Sequence, residues 1–306
     1  MPTRPLRLAA RVALITAASL GLAACHPGNR TAQRLRASCD SGSPAACDSL
    51  ATRLQKGEYV LRDEPRAATL FEQACKGGVG DGCSSLGVML QRGSGVHRDS
   101  ARAVSLFQQG CDRSAMEGCA RLGVLYQRGA GVPQDRARAL ALFQQSCEGK
   151  QMIGCAHLGE LFASGEGVPQ DFSRAAALLR QSCDAKVPLG CLGLGRLQMA
   201  GTGVARNDSV AASLFTRACE SKEAAACFEL AMATEAGRGT AQNYERAARL
   251  YRQACEGRYG EACFRLAALY EKGAGVTRDP ERAKSLTRRA CEYDYADACP
   301  QRKAAL

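Results

Sequence analysis

The chain contains a segment, Cys119 to Asp135, that reads C-A-R-L-G-V-L-Y-Q-R-G-A-G-V-P-Q-D. Its apolar and small residues recur every three or four positions, the spacing that places side chains on one face of an α-helix. Gly129 follows the last of them and suits the left-handed conformation that ends a helix. Gly131 and Pro133 mark a turn, and Asp135 suits the N-cap of a second helix. The segment therefore predicts a helical hairpin.

This pattern recurs along the chain with a period of 36 residues. A leucine column runs from Leu50 to Leu266 and a glycine column from Gly57 to Gly273 in the same register. Such a period is typical of stacked hairpins, because one hairpin cannot bury its apolar face alone. We therefore predict an all-α fold, an α/α superhelical solenoid of about seven 36-residue disulfide-stapled helical hairpins.

Sixteen of the 17 cysteines keep the same period as pairs eight residues apart. The predicted disulfide pairs are Cys39 with Cys47, Cys75 with Cys83, Cys111 with Cys119, Cys147 with Cys155, Cys183 with Cys191, Cys219 with Cys227, Cys255 with Cys263, and Cys291 with Cys299.

The cysteine spacing indicates how neighbouring hairpins are joined. Eight residues of continuous helix span about 12 Å, whereas the Cα atoms of a disulfide lie about 4.4–6.8 Å apart. A bridge within a pair therefore requires a turn between its cysteines, and D-A-K-V-P-L-G before Cys191 has the composition of a turn. Each bridge would join the second helix of one hairpin to the first helix of the next. Zinc ligation and free buried thiols are the alternatives, although the spacing does not match zinc sites.

The cysteine count and the N-terminus both indicate export. Seventeen cysteines are typical of an oxidising compartment unless they bind metal or do redox chemistry. Three arginines, Arg4, Arg7 and Arg11, precede an uncharged apolar stretch from Val12 to Ala24. That stretch is shorter than the roughly 20 apolar residues that span a bilayer. It has the form of a secretory signal.

The end of that stretch, Leu22-Ala23-Ala24-Cys25, resembles the lipobox of bacterial lipoproteins. The resemblance implies cleavage before Cys25 and lipidation of that cysteine, and an ordinary secretory signal is the alternative. Because His26 follows the cysteine where an aspartate would retain a lipoprotein in the inner membrane, the resemblance implies an outer-membrane anchor, with the array facing the periplasm or the cell surface. The predicted regions are a signal peptide (1–24), a lipid-anchored segment (25–38), a repeat array (39–299, with units starting near 39, 75, 111, 147, 183, 219 and 255 and a partial cap from 291) and a tail (300–306).

Leu122 to Ala139 follows the pattern L-G-x-x-Y-x-x-G-x-G-V-x-x-D-x-x-x-A and resembles the Sel-one-like repeat, a relative of the tetratricopeptide repeat. The added cysteine pair resembles the secreted cysteine-rich branch of that family. The resemblance implies an adaptor whose first helices line a concave face that binds peptides or other ligands. Two units depart from the pattern, with Tyr59 at the second loop glycine and Thr240 at the loop valine.

The resemblance also implies an alternative function, because some members of the cysteine-rich branch are described as penicillin-binding with weak β-lactamase activity. The sequence lacks the S-x-x-K, S-D-N and K-T-G motifs of serine β-lactamases. Its three histidines, His26, His97 and His157, are too few and too scattered for a zinc hydrolase. We therefore predict no catalytic residue, no metal ion and no cofactor.

A binding surface is predicted on the first helices, at the positions two, five and nine residues after each second cysteine. These positions share a helical face and vary among the units, as a ligand surface does and as any solvated face also does. Arginine binds carboxylates and phosphates through paired donors, so the ligand is predicted to be anionic. The candidate residues, called here the first-helix stripe, are Arg121, Arg128, His157, Glu160, Arg196, Glu229 and Arg265.

The net charge of +11 bears on the class of partner. Cleavage of the leader would remove three arginines and no acidic residue, which leaves +8. Export argues against nucleic acid as the partner of this basic surface. The predicted partners are a protein or peptide, or an anionic envelope component such as phospholipid, lipopolysaccharide or glycan, with the membrane contacted through the lipid anchor only.

Overall fold

The computed structural model describes residues 27–299, so the predicted signal peptide, Cys25 and the tail from 300 to 306 lie outside the described residues. Within them the regular structure is fifteen α-helices and a short 3₁₀ helix at Ala296–Ala298, with no strand. The helices are α1 (Pro27–Asp40), α2 (Pro44–Lys56), α3 (Glu64–Lys76), α4 (Gly80–Arg92), α5 (Ser100–Asp112), α6 (Met116–Arg128), α7 (Arg136–Glu148), α8 (Met152–Ser164), α9 (Phe172–Asp184), α10 (Pro188–Ala200), α11 (Asp208–Glu220), α12 (Ala224–Ala236), α13 (Tyr244–Glu256), α14 (Gly260–Lys272) and α15 (Pro280–Glu292).

The even-numbered helices are the first helices of seven hairpins, and the odd-numbered helices from α3 onward are the second helices. Each of these fourteen helices has 13 residues, and each begins 36 residues after its counterpart. The chain divides into two compact units, one up to Asp135 and one from Arg136. Within each unit, a second helix packs against its own first helix and against the first helix of the next hairpin. The predicted all-α array of disulfide-joined hairpins is confirmed.

The ends of the helices follow the predicted columns. Every first helix ends at a glycine with φ between 66° and 75°, whose N–H donates to the carbonyl four residues back. Glycine reaches this left-handed conformation without the steric cost of a Cβ atom. On six second helices the predicted N-cap side chain accepts a hydrogen bond from the backbone N–H three residues on; these caps are Asp63, Asp99, Asp171, Asn207, Asn243 and Asp279.

In each unit, the core consists of large side chains from the second helices that pack against small residues on the first helices. The aromatic rings of Phe71, Phe107, Phe143 and Phe215 are essentially inaccessible to solvent. A Cβ atom on Gly87 would lie only 2.8 Å from the Phe107 ring, so glycine at this position lets the two helices approach closely. Each buried ring removes about 150–250 Å² from water, which makes these rings the main apolar contribution to packing.

Eight disulfides staple the array, with Cα–Cα distances of 4.5–5.0 Å; six join consecutive hairpins, one joins α1 to the first hairpin and one joins the last hairpin to the 3₁₀ segment. Each bridge joins the last turn of one second helix to the first turn of the following segment. The chain reverses direction between the cysteines because one connecting residue adopts a positive φ, for example Lys186 at 64° and Lys222 at 65°. A closed loop of this length contributes on the order of 2–3 kcal/mol of stability in the chain-entropy account.

The bonded cysteines are those that the sequence predicts, so disulfides account for them and zinc ligation and free thiols do not. The pairs are Cys39 and Cys47, Cys75 and Cys83, Cys111 and Cys119, Cys147 and Cys155, Cys183 and Cys191, Cys219 and Cys227, Cys255 and Cys263, and Cys291 and Cys299.

The second cysteine of a pair is typically hidden from solvent. Cys83, Cys155, Cys227 and Cys263 are completely buried, and Cys299 is 3% exposed. These residues are therefore structural, and they offer no surface to a ligand.

Helix α1 extends the array at its N-terminal side. It lies in the segment predicted to be a lipid-anchored region, to which the sequence analysis assigned no secondary structure. Cys39 in its last turn pairs with Cys47 of α2, so α1 occupies the position of a second helix before the first hairpin. None of the helices within residues 27–299 is both long and apolar enough to cross a membrane.

Candidate functional site

The residues of the first-helix stripe lie on four first helices of the unit from Arg136 and on α6 of the other unit. In the former unit, His157 and Glu160 lie on α8, Arg196 on α10, Glu229 on α12 and Arg265 on α14. Their side chains are half-buried or exposed, as the repeat register predicts for a surface column.

One ion pair of the stripe joins two neighbouring hairpins. The Nε atom of Arg196 lies 2.8 Å from Oε1 of Glu229, across the gap between α10 and α12. The Glu229 side chain is only 22% exposed, whereas that of Arg196 is 45% exposed. Charge-assisted hydrogen bonds of this length hold both side chains in place. The repeat register places both residues on one surface but carries no information about their pairing.

Two more arginines of the stripe, Arg121 and Arg265, also lie close to an acidic side chain. Arg265 lies 3.4 Å from Glu261 in the previous turn of α14. In the other unit, Arg121 contacts Glu117 at 2.6 Å in the same way, and Arg128 is exposed at the last position of α6. Within the described residues, therefore, three of the four arginines of the stripe lie within 3.4 Å of a carboxylate oxygen.

His157 has a packing role that its position in the repeat does not indicate. Its ring stacks on the buried ring of Phe143, with 4.8 Å between the centroids, and its Nδ1 atom lies 3.3 Å from Oε2 of Glu160. The side chain is only 15% exposed. This histidine covers Phe143 of the preceding hairpin and offers little surface to a ligand.

Two tyrosines extend the stripe in the last hairpins. Tyr259 precedes α14 and packs on Phe228 at 4.8 Å, and Tyr295 packs on Phe264 at 5.3 Å. Burial raises the pKa of Tyr259, although the positive charge of Arg196 acts in the other direction. Burial is also the main cause that raises the pKa of Tyr295, and the negative charge of Glu261 adds to it. Both side chains are therefore neutral phenols at physiological pH, held in place by a phenylalanine.

These side chains form a patch that combines rings and charges on the first-helix face. The signal for it was present in the sequence, because Tyr259 and Tyr295 stand 36 residues apart in a column that holds no other aromatic residue. The tyrosine–arginine patch consists of Arg196, Glu229, Tyr259, Glu261, Arg265 and Tyr295.

The described residues do not bring together the groups that a metal site needs. No cluster of three or more His, Cys, Asp or Glu side chains within residues 27–299 could hold a metal ion. The sixteen cysteines of the array are consumed by the eight disulfides. The chemistry available at the patch is therefore hydrogen bonding, ion pairing and aromatic contact.

The repeats match an established family model, described as the Sel1 repeat, in seven consecutive segments. The matched residues are 44–79, 80–114, 117–150, 153–187, 188–222, 224–259 and 260–292. No curated protein sequence matches the chain.

Solved structures with the same architecture include two Sel1-type proteins. One is c5321, a protective antigen of uropathogenic Escherichia coli with an SLR fold, which is 26% identical over 87% of this chain with a TM-score of 0.58. The match covers 57% of the c5321 chain. The other is a Sel1 repeat protein from Oxalobacter formigenes, 21% identical over 90% of this chain and 80% of its own, with a TM-score of 0.60.

The immunity protein Pa5087 from Pseudomonas aeruginosa is also similar. It is 20% identical over 72% of this chain and 84% of its own, with a TM-score of 0.51. At this identity the likeness concerns the fold alone.

Proposed function

The chain belongs to the Sel1 repeat family, and we propose that it is an envelope-anchored scaffold that binds a protein partner through the tyrosine–arginine patch. Sel1 repeat proteins are protein-interaction scaffolds, and the proposal assigns that role to one surface of this chain. The observation that carries it is the pair of half-buried tyrosines, one before α14 and one before the 3₁₀ helix, with Arg196 close enough to act electrostatically on Tyr259 and Arg265 on Tyr295.

The composition of the patch suits a polypeptide. Tyrosine and arginine are the residues enriched at the energetic centres of protein interfaces. Tyr259 and Tyr295 already pack on phenylalanines, and Arg196 already pairs with Glu229, so little side-chain freedom is lost on binding. Rigid side chains of this kind reduce the entropic cost of association.

The charge pattern favours a protein over an anionic lipid or glycan at this surface. Arg196 and Arg265 are balanced by Glu229 and Glu261, so the patch has two charges of each sign. A polyanion would meet the two carboxylates as well as the two guanidinium groups. A polypeptide can present both signs, and complementary charges then fix its register.

The compartment follows from the disulfides. Eight bridges indicate an oxidising compartment, outside the cytoplasm. We further propose that Cys25 carries the lipid that anchors the array to the outer membrane. Cys25→Ala should remove palmitate labelling and release the protein from the membrane fraction. Unchanged membrane fractionation of this variant would contradict lipid anchoring.

The binding proposal is tested by charge reversal on two faces. The partner is first identified in intact cells by chemical crosslinking and mass spectrometry of the wild-type protein. Arg196→Glu with Arg265→Glu should then weaken its affinity at least tenfold, about 1.4 kcal/mol. The control carries Arg180→Glu with Arg249→Glu on second helices, which changes the net charge equally, and Arg249 pairs with Glu245 four residues away as Arg265 does with Glu261.

The control should bind the partner within about twofold of wild type, and both variants should keep their helicity because exposed substitutions cost little stability. Loss of affinity in the control with retention in the patch variant would contradict the proposal.

A further inference from the structure

The second helices of the last two hairpins enclose a groove lined by arginines. Two cavities, of about 130 Å³ and about 500 Å³, adjoin there and share the side chains of Arg252 on α13 and Arg282 on α15. Arg289 lines the smaller cavity and Arg278 the larger one. We call these four residues the arginine groove. A volume of this order is typical of small-molecule sites.

The guanidinium groups of the groove are held in place by neutral partners. Nη2 of Arg252 donates to the Tyr270 hydroxyl at 3.0 Å, and the Arg282 guanidinium lies 5.0 Å from the centre of the same ring. Nε of Arg278 donates to the backbone carbonyl of Glu271 at 3.0 Å. Arginine stacked on or bonded to a tyrosine keeps most of its donors available.

The positive charge of the groove exceeds its negative charge, because four arginines line the two cavities and the acidic lining residues are Glu256 and Asp279. Within the described residues, no acidic side chain forms an ion pair with Arg252, Arg282 or Arg289, and the buried Nε of Arg252 has no hydrogen-bond acceptor. Glu256 lines the smaller cavity, and the Asp279 carboxylate is used as the N-cap of α15. A buried donor without an acceptor is uncommon in proteins and needs an explanation.

The equivalent groove between the first two hairpins contains an acidic side chain that pairs with its arginine. A cavity of about 510 Å³ lies there, 180 residues earlier in the repeat register, and Glu72 stands in the position of Arg252. Oε1 of Glu72 lies 3.1 Å from Nζ of Lys76 and 3.0 Å from Nη2 of Arg102, the counterpart of Arg282. The hydrogen bond from Lys76, together with the charge of Arg102, lowers the pKa of Glu72. In this groove, therefore, the arginine has an acidic partner within the protein.

The repeat does not require three arginines at these positions. The residues corresponding to Arg252, Arg282 and Arg289 are Glu72, Arg102 and Gln109 in the first groove. In other hairpins they are Arg180, Val210 and Arg217, or Thr216, Arg246 and Gln253. The fold therefore accepts neutral or acidic residues there, and the arginine cluster of the last groove has a reason other than packing.

We propose that the arginine groove binds a phosphate group. Guanidinium groups match phosphate oxygens through paired donors, and several of them are suited to a group with more than one negative oxygen. The phosphate belongs to a soluble phosphorylated compound or to a lipid headgroup. This site lies on second helices and is independent of the protein-binding patch.

Binding is measured on the full mature chain carrying Cys25→Ala, so that no lipid anchor contributes. The two probes are pyrophosphate, followed by calorimetry, and vesicles of phosphatidylglycerol in phosphatidylcholine, followed by sedimentation. The test variant is Arg252→Gln with Arg289→Gln, since glutamine stands at the equivalent positions Gln144 and Gln109. The control, Arg180→Gln with Arg249→Gln, removes the same charge elsewhere on second helices.

The test variant should weaken binding at least tenfold, and the control should remain within twofold of the parent chain. Binding of pyrophosphate identifies a soluble ligand, and binding of vesicles alone identifies a headgroup. A second variant, Glu72→Arg with Gln109→Arg, should add a second site in the first groove. Binding of neither probe, or an equal loss in test and control variants, would overturn the proposal and leave the protein-binding patch untouched.

Discussion

In the sixth hairpin, the loop between α12 and α13 places Gly239 against the start of α11, whereas in the first hairpin Tyr59 occupies the corresponding loop position. Gly239 has φ 69°, and a Cβ atom on it would lie 1.9 Å from the carbonyl oxygen of Asp208. Tyr59 also has a positive φ, 60°, but its ring lies over Gly28 of α1. Gly28 is the repeat counterpart of Asp208.

The two hairpins therefore make the same loop–helix contact, but the glycine is in the loop in one hairpin and in the helix in the other. The loop must approach the first turn of the preceding second helix so closely that one partner has to lack a side chain. In the sixth hairpin the loop provides the glycine, and in the first hairpin the helix provides it. The loss of the loop glycine at Tyr59 is thus compensated by a glycine at position 28, which lies 31 residues earlier in the chain.

The largest effect is expected for Gly239→Ala. The added Cβ meets a backbone oxygen, which cannot move unless α11 shifts, and the left-handed φ adds strain. We expect a loss of about 2–4 kcal/mol in the free energy of unfolding, measured by urea denaturation, with faster amide exchange in α11 to α13. The control is Gly42→Ala, which shares a positive φ of 96° but meets no atom within 4 Å.

Gly42→Ala should cost about 1 kcal/mol, from backbone strain alone. An equal loss in both variants would mean that the φ angle, and not the contact with α11, explains the glycine.

A smaller and equal effect is expected for the N-caps of the two hairpins. Asp63 accepts a hydrogen bond from the N–H of Arg66, and Asn243 accepts one from Arg246. Substitution of either cap by alanine should cost about 1 kcal/mol, because each leaves one helix N–H without its side-chain acceptor. Urea denaturation of the two variants checks whether the hairpins differ only at the loop contact. If the losses of stability in the two N-cap variants differed by more than those of Gly239→Ala and Gly28→Ala, the hairpins would differ at more than the loop contact.

The smallest effect is expected for Gly28→Ala in the first hairpin. The new Cβ meets the ring of Tyr59, which is 55% exposed and can rotate away, and alanine gains about 0.5–1 kcal/mol over glycine within a helix. The net change should be within about 1 kcal/mol. Combining it with Tyr59→Gly reproduces the arrangement of the sixth hairpin, and the double-mutant cycle should show favourable coupling. Strict additivity would mean that the two positions are not one contact.

Features that recur in every hairpin could be predicted from the sequence, because a residue type that recurs every 36 residues indicates a structural requirement shared by all hairpins. The terminating glycines, the N-caps and the cysteine pairs belong to this class, and each depends on neighbours within one hairpin or one turn. Helix α1 was not predicted, because it occurs once and precedes the first complete repeat.

Contacts between hairpins were less predictable. Arg196 and Glu229 were placed on one surface, but their pairing depends on side-chain geometry between α10 and α12 that no periodicity encodes. His157 was assigned to ligand binding, whereas its environment is set by Phe143 on the preceding helix. The arginine groove was overlooked because the variable columns of the second helices were not considered.

The central claim is that the tyrosine–arginine patch contacts the protein partner. The most direct measurement replaces Tyr259 with the photo-crosslinking residue benzoylphenylalanine in living cells, where one aromatic side chain stands in for another. Tyr244, a 41% exposed tyrosine at the start of α13, provides the matched control position. The proposal predicts a discrete crosslinked protein at position 259 and none at position 244. Crosslinking at 244 with none at 259 would contradict it.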